Sequence, residues 1–205
     1  MRAKLRVGAV GAVTLAAAGV FVAVLVHALW YAPEGEVSAV APPTTRTATS
    51  TPTVITSAKN IPTRLTIPSL GIDTNVQDVG LGKTGNMAVP SNYTDVSWYR
   101  YGTLPGQVGS AVIDGHVDNG FGMDAVFKHI SDLKPGDDIY IKTQQGEALH
   151  FVVNDVETYA ATDVPLQTLF TRNDKARLNL ITCAGQWEPD KKAYDHRTVV
   201  YAVLV

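Results

Sequence analysis

The chain has 205 residues, with 17 Lys and Arg against 19 Asp and Glu and a formal net charge of −2. A nucleic-acid binder would show a basic excess, and this chain has none. Its single cysteine, Cys183, excludes an internal disulfide and stands out as a thiol open to reaction if the chain is exported.

Met1–Arg6 is short and basic. Arg2, Lys4 and Arg6 take three of the basic residues, so residues 7–205 hold 14 basic against 19 acidic groups. Val7–Val26 then runs for 20 residues with neither charge nor proline. A helix of that length spans about 30 Å, the thickness of a bilayer's hydrocarbon core. His27, Trp30 and Tyr31 follow as a polar and aromatic interfacial edge. Glu34 and Glu36 come next, and the following basic residue is Arg46. The positive-inside rule therefore places the N-terminus in the cytoplasm and exports everything after residue 31. A cleaved signal peptide is the competing reading. Ala39-Val40-Ala41 fits a small-x-small cleavage site, but it lies well past an apolar run longer than the usual h-region of about 7–15 residues. No polar stripe divides the run, which speaks against a buried core helix. The segments are read as a cytoplasmic basic segment at 1–6 and a transmembrane signal anchor at 7–30.

Residues 31–60 form a linker. Nineteen of these 30 residues are Ala, Thr, Ser or Pro, and Leu, Phe and Trp are absent. Such a segment buries too little apolar surface to offset its ordering entropy. Its prolines favour an extended spacer, and its threonines suit O-glycosylation.

Residues 61–205 make the folded domain, large enough for one core. Its texture is mostly β. Strand candidates are Arg64–Ile67, Thr74–Val79, Gly109–Ile113, Asp138–Thr143, Leu149–Glu157, Ala176–Cys183 and Arg197–Val205. Gly80–Asn86 is a glycine-rich turn whose spacing is not that of a phosphate loop. Asp124–Leu133 is expected to be a short helix with Val126, Phe127 and Ile130 on its apolar face, and Val164–Phe170 a second helical turn. Many short strands with few helices predict a closed barrel or a sandwich.

Cysteine chemistry needs a thiolate, a partner for its proton and a donor for the developing oxyanion. An unperturbed thiol is only a few per cent ionised at neutral pH, so a cationic neighbour matters. Four histidines of the domain, His116, His129, His150 and His196, and its five arginines are the candidates. His129 sits among Lys and Asp and is expected to face solvent. His150 lies inside a strand, as a packing or edge residue. His196 and Arg197 point to opposite faces if Arg197 opens the last strand, so both cannot line one site. His116 follows a strand, behind Gly115 and between Asp114 and Asp118, and Cys183 likewise sits where a strand hands over to a loop. Singly, a cysteine is most often a small buried hydrophobe, and a Gly-His pair is a turn. Trp98, Trp187 and Tyr194 read as packing or groove-wall residues.

Leu180-Ile181-Thr182-Cys183, Arg197 14 residues later, and Ile113-Asp114-Gly115-His116-Val117-Asp118 upstream together resemble the sortase family. Leu104-Pro105-Gly106 and Gly109–Ile113 add to the likeness, which covers essentially all of 61–205. The resemblance implies a closed eight-stranded β-barrel with a few short helices, preceded by one N-terminal transmembrane helix. It implies a Cys–His–Arg site. Cys183 would attack the Thr–Gly bond of a Leu-Pro-x-Thr-Gly-like sorting signal, and an amine would resolve the thioacyl-enzyme. His116 would protonate the leaving amine and deprotonate the incoming one. Arg197 would hold the peptide backbone and the oxyanion, and Thr182 would help position the peptide. No cofactor, no metal and no autoinhibitory lid are implied. The compact domain and short Cys–Arg loop look most like class F, then class E, although Asn179 stands where many members have Thr. The implied partners are surface proteins bearing a C-terminal sorting signal, an amine acceptor such as a cell-wall precursor, and the membrane, but no nucleic acid. The implied location is the cell membrane, single-pass, with the catalytic domain outside.

Three other classes remain open. A cysteine peptidase would use the same dyad with water as acceptor. A metal hydrolase could use Asp114, His116 and Asp118, but lacks a second His pair at ligand spacing. A non-catalytic surface-binding domain would tolerate Cys183→Ala.

Overall fold

In the computed structural model of the chain, residues 5–32 and 60–205 are described, with side chains from residue 17 onward. Residues 1–4 of the expected basic segment (1–6) and 33–59 of the expected linker (31–60) lie outside the described residues. One helix, α1, runs Leu5–Trp30 across the expected anchor. Among the described residues no helix is long and apolar enough to cross a membrane. The end of α1 meets the domain: Tyr31 bridges to Asn92, and Ala32 N–H donates to the Ser91 carbonyl at 2.9 Å.

The domain is built on eight strands: β1 (Pro62–Ile67), β2 (Ile72–Val79), β3 (Val96–Tyr99), β4 (Gly109–Gly115), β5 (Asp138–Thr143), β6 (Ala148–Ala160), β7 (Ala176–Glu188) and β8 (Ala193–Leu204). They close into a barrel in the order β1-β2-β3-β4-β7-β8-β6-β5. Closure satisfies edges that an open sheet would leave unpaired. The β2–β3 and β4–β7 pairs are parallel, and the others are antiparallel. Tight connections use turn chemistry: Gly71, at φ 64°, closes the turn between β1 and β2 in a conformation that favours glycine.

Side chains alternate between two apolar clusters. Ile113, Leu180, Val200 and Phe151 fill the barrel interior. Val112, Ile181, Val199 and Tyr201 face the other way, under Leu169 and Phe170 of a short helix, α2 (Leu166–Thr171). β4 is therefore buried at every position, because it has a core on each face.

Two expectations are corrected. The helix over Asp124–Leu133 does not form; a single 3₁₀ turn, Ile130–Asp132, stands there. The reason lies in its backbone donors. Ala125, Val126 and Phe127 N–H groups go to the carbonyls of Val117, Tyr93 and His116, outside the segment. Phe127 and Ile130 are buried nonetheless. Second, β7 and β8 continue past Cys183 and Arg197, to Glu188 and from Ala193. Cys183 and Arg197 thus lie within strands. The ladder survives the glycine by a register shift between Ala184 and Trp187. The strand β3 had no counterpart in the sequence reading.

Phe127 lies on the glycine before His116: a Cβ at Gly115 would sit 2.6–2.7 Å from its ring. Phe127→Ala should lower stability by about 3–5 kcal/mol in denaturant unfolding. Gly115→Ala should also destabilise, but much less in a Phe127→Ala background, where the obstructing ring is gone. Additive effects of the two changes would show that the ring does not dictate the glycine.

Candidate active site

The β4–β7 register runs Gly109↔Ala176 to Asp114↔Ile181. Extended by two residues, it sets His116 across from Cys183. The antiparallel β7–β8 register pairs Cys183 with Arg197. Three adjacent strands therefore bring His116, Cys183 and Arg197 to one level of the barrel. They also share one face. Val112, Ile181 and Val199 belong to the cluster outside the barrel, and alternation carries that face to Asp114, His116, Cys183 and Arg197. His196 takes the opposite face, so the choice between it and Arg197 falls to Arg197.

Thr182 points the other way. It is buried, and its hydroxyl donates to the Gly115 carbonyl at 2.7 Å. This bond clamps β7 to β4 beside both His116 and Cys183. The hydroxyl is engaged within the fold, although Thr182 also borders the nearby cavity. That cavity, about 220 Å³, lies beside Cys183 between Val117, Phe127, Lys128 and Gly185.

His116 Nε2 lies 3.0 Å from the Pro90 carbonyl. A carbonyl only accepts, so Nε2 carries the proton and Nδ1 is the basic nitrogen. The Tyr93 ring packs against the imidazole at 5.3 Å. Burial holds the imidazole below its ordinary pKa, opposed by the Pro90 bond and by Asp118. Burial pushes the Cys183 thiol up to about 11, opposed by the Arg197 charge and reinforced by Asp114 and Asp118. Both shifts favour an uncharged thiol and imidazole at rest. Arg197 is 1% exposed, and its Nη1 donates to the Tyr194 carbonyl at 2.9 Å and the His196 carbonyl at 2.6 Å. A nucleophile, a base and a fixed cation thus stand side by side. This is the equipment of acyl transfer through a thioester.

The other histidines stand apart. His129 is exposed between Asp124 and Asp132. His150 bonds Asp138 at 2.7 Å and stacks on Tyr140. Of the carboxylates considered for a metal site, Asp114 is buried on the sheet face, and Asp118 accepts a hydrogen bond from the Tyr194 hydroxyl. Among the described residues no three His, Cys, Asp or Glu side chains are grouped to hold a metal ion.

Sequence reasoning weighed Asp114 only as a metal ligand and missed it as a neighbour of the thiol. The signal was there: it lies two residues before His116 in a strand, hence on the same face. Burial raises its carboxyl pKa to about 7, opposed by Arg197 and a backbone hydrogen bond from Gly115. A carboxyl raised in the folded state contributes stability that is full below about pH 4 and is lost as pH rises through about 7. Asp114→Asn should therefore remove a fall in stability between pH 5 and 7, read by denaturant titration at each pH. It should also move the alkylation profile of Cys183 to lower pH, because a negative neighbour is gone. Parallel stability profiles for variant and wild type would refute this account of Asp114.

The sortase domain family matches residues 65–205. Among solved structures, a lid mutant of sortase A from Corynebacterium diphtheriae superposes with a TM-score of 0.55 at 23% identity, covering 72% of this chain and 71% of that one. Sortase C2 of Pilus Island 1 from Group B Streptococcus gives 0.54 at 19%, covering 70% and 73%. Sortase C-1 from Actinomyces oris gives 0.52 at 22%, covering 70% and 74%. None of the curated proteins compared with the chain matches it. Matched across the barrel that carries this site, the chain belongs to the sortase family of cysteine transpeptidases.

Proposed function

We propose that this sortase cleaves a Leu-Pro-x-Thr-Gly-like sorting signal between Thr and Gly and transfers the protein to an amine acceptor of the cell envelope. The observation that carries the reading is the alignment of His116, Cys183 and Arg197 on one face at one level. Cys183 gives its proton to His116 Nδ1, and its sulfur adds to the Thr carbonyl. Arg197, beside the thiol on β8, stabilises the oxyanion. The imidazolium then returns the proton to the departing glycine nitrogen, leaving a thioester. An incoming amine adds to the thioester carbon, loses its proton to His116, and expels Cys183, which regains it. Exclusion of water decides transfer over hydrolysis, and the burial around Cys183 and His116 supports that outcome.

The chain is further proposed to be held at the membrane by residues 7–30, N-terminus inside. The charge-free run and the basic residues before it support this reading. The short connection from Cys183 to Arg197 supports a place nearest class F, then class E.

The test is mass spectrometry of Leu-Pro-x-Thr-Gly and Leu-Ala-x-Thr-Gly peptides incubated with the full chain, with and without an amine. The expected product is the Thr carbonyl joined to the amine. Cys183→Ala should abolish it, and His116→Ala or Arg197→Ala should reduce its rate by about 10³-fold or more. A free acid as the main product despite added amine would replace transfer by hydrolysis. No cleavage of either peptide would overturn the proposed signal.

A further inference from the structure

Tyr194 touches both flanks of the site. Its backbone carbonyl accepts the 2.9 Å bond from Arg197 Nη1. Its hydroxyl donates to Asp118 Oδ2, 76 residues away in sequence and two residues beyond His116. Its ring meets Trp187 edge-on at 5.4 Å, and the two are cross-strand partners in the β7–β8 ribbon. One residue therefore connects the strand of the guanidinium to the loop of the imidazole.

The His116 loop is built so that a hold on Asp118 is felt at His116. Asn119 Oδ1 accepts from the N–H groups of Phe121 and Met123, and Asn119 N–H donates to the Met123 carbonyl. Asp118 and Asp124 form a bridge, and Phe127 N–H donates to the His116 carbonyl at 2.9 Å. These bonds tie the residues after His116 to one another and back to His116. Pro90 holds the loop at one side, through His116 Nε2. Tyr194 holds it at the other.

We propose that Tyr194 is a positioning residue of the active site, with Asp118 as its partner: their hydrogen bond ties the His116 loop to the Arg197 strand and keeps imidazole and guanidinium set on either side of the thiol. The kinetic consequence rests on the transpeptidase reading; the geometric consequence at Cys183 does not. Burial raises the Tyr194 phenol pKa, as does the Asp118 carboxylate, so the hydroxyl stays protonated and donates throughout the working range of pH.

Four variants of the full chain test this. Tyr194→Phe keeps the ring on Trp187 and the carbonyl on Arg197, and removes only the hydroxyl. It should lower kcat about tenfold, with KM within about twofold, because alignment and not binding is lost. Asp118→Ala should match it, and the double variant should be no worse than either single one. Asp118→Asn keeps an acceptor oxygen and should stay within about threefold of wild type. The second readout needs no substrate. Tyr194→Phe leaves the formal charge of the site unchanged, so a shift of its Cys183 alkylation profile toward higher pH reports a guanidinium set farther from the thiol, since the Arg197 charge is what opposes the rise of the thiol pKa. Wild-type kinetics together with an unmoved profile for Tyr194→Phe would overturn the proposal. So would additive losses for Tyr194→Phe and Asp118→Ala. If wild type leaves every peptide uncleaved, the alkylation profiles alone decide the role of Tyr194, and the failure belongs to the proposed signal.

Discussion

The site depends on the parallel pairing of β4 with β7. Parallel strands cannot be joined by a tight turn, so this contact is made between segments 67 residues apart, and the hydroxyl of Thr182 on the Gly115 carbonyl pins it at the last step. A slip of one residue would turn Cys183 to the barrel interior and leave His116 facing a buried threonine. Gly115 is part of the same constraint, since Phe127 occupies the space its side chain would take. The antiparallel neighbour β8 then needs only its own register to deliver Arg197. The three candidate residues are thus set by two strand registers, with Cys183 and Arg197 within β7 and β8 and His116 just past the end of β4.

Electrostatics in that wall is a contest that burial wins. An opposite charge within about 4–6 Å lowers an acid's pKa by about 1–3 units. Arg197 acts on Cys183 in that sense, yet the thiol still ends near 11. Asp114 and Asp118 are one reason, since each adds negative charge near the sulfur. Desolvation is the larger one. The same desolvation keeps His116 basic nitrogen free of its proton. Both shifts run against a resting thiolate–imidazolium pair.

Much of this was legible in the chain. The last strand is rich in β-branched residues, and the period of two set His196 and Arg197 on opposite faces, as the ladder has them. The sequence likeness around Cys183, His116 and Arg197 pointed to the family that the barrel displays. What was not legible depended on partners distant in sequence. β3 has four residues, Val96–Tyr99, all buried, and a run so short shows no alternation. Asp124–Leu133 has helical spacing of apolar residues, but its donors were claimed by the carbonyls of Tyr93, His116 and Val117. The strand looked as if it ended at Cys183. Instead it passes Gly185, at φ 79°, where any side chain would collide with Asp195, and the ladder resumes beyond it. Tyr194 looked like a groove wall because nothing in its neighbourhood in sequence announces Asp118.

The uncharged resting state of Cys183 has a bearing on durability. Peroxide and similar oxidants attack thiolates, and the first oxidised forms of cysteine are reversible only where reductants or a second thiol are at hand. This chain has no second cysteine to form a rescuing disulfide. A neutral thiol offers such oxidants less to attack than a thiolate would, so the same burial that raises the Cys183 pKa also shields the sulfur from oxidation.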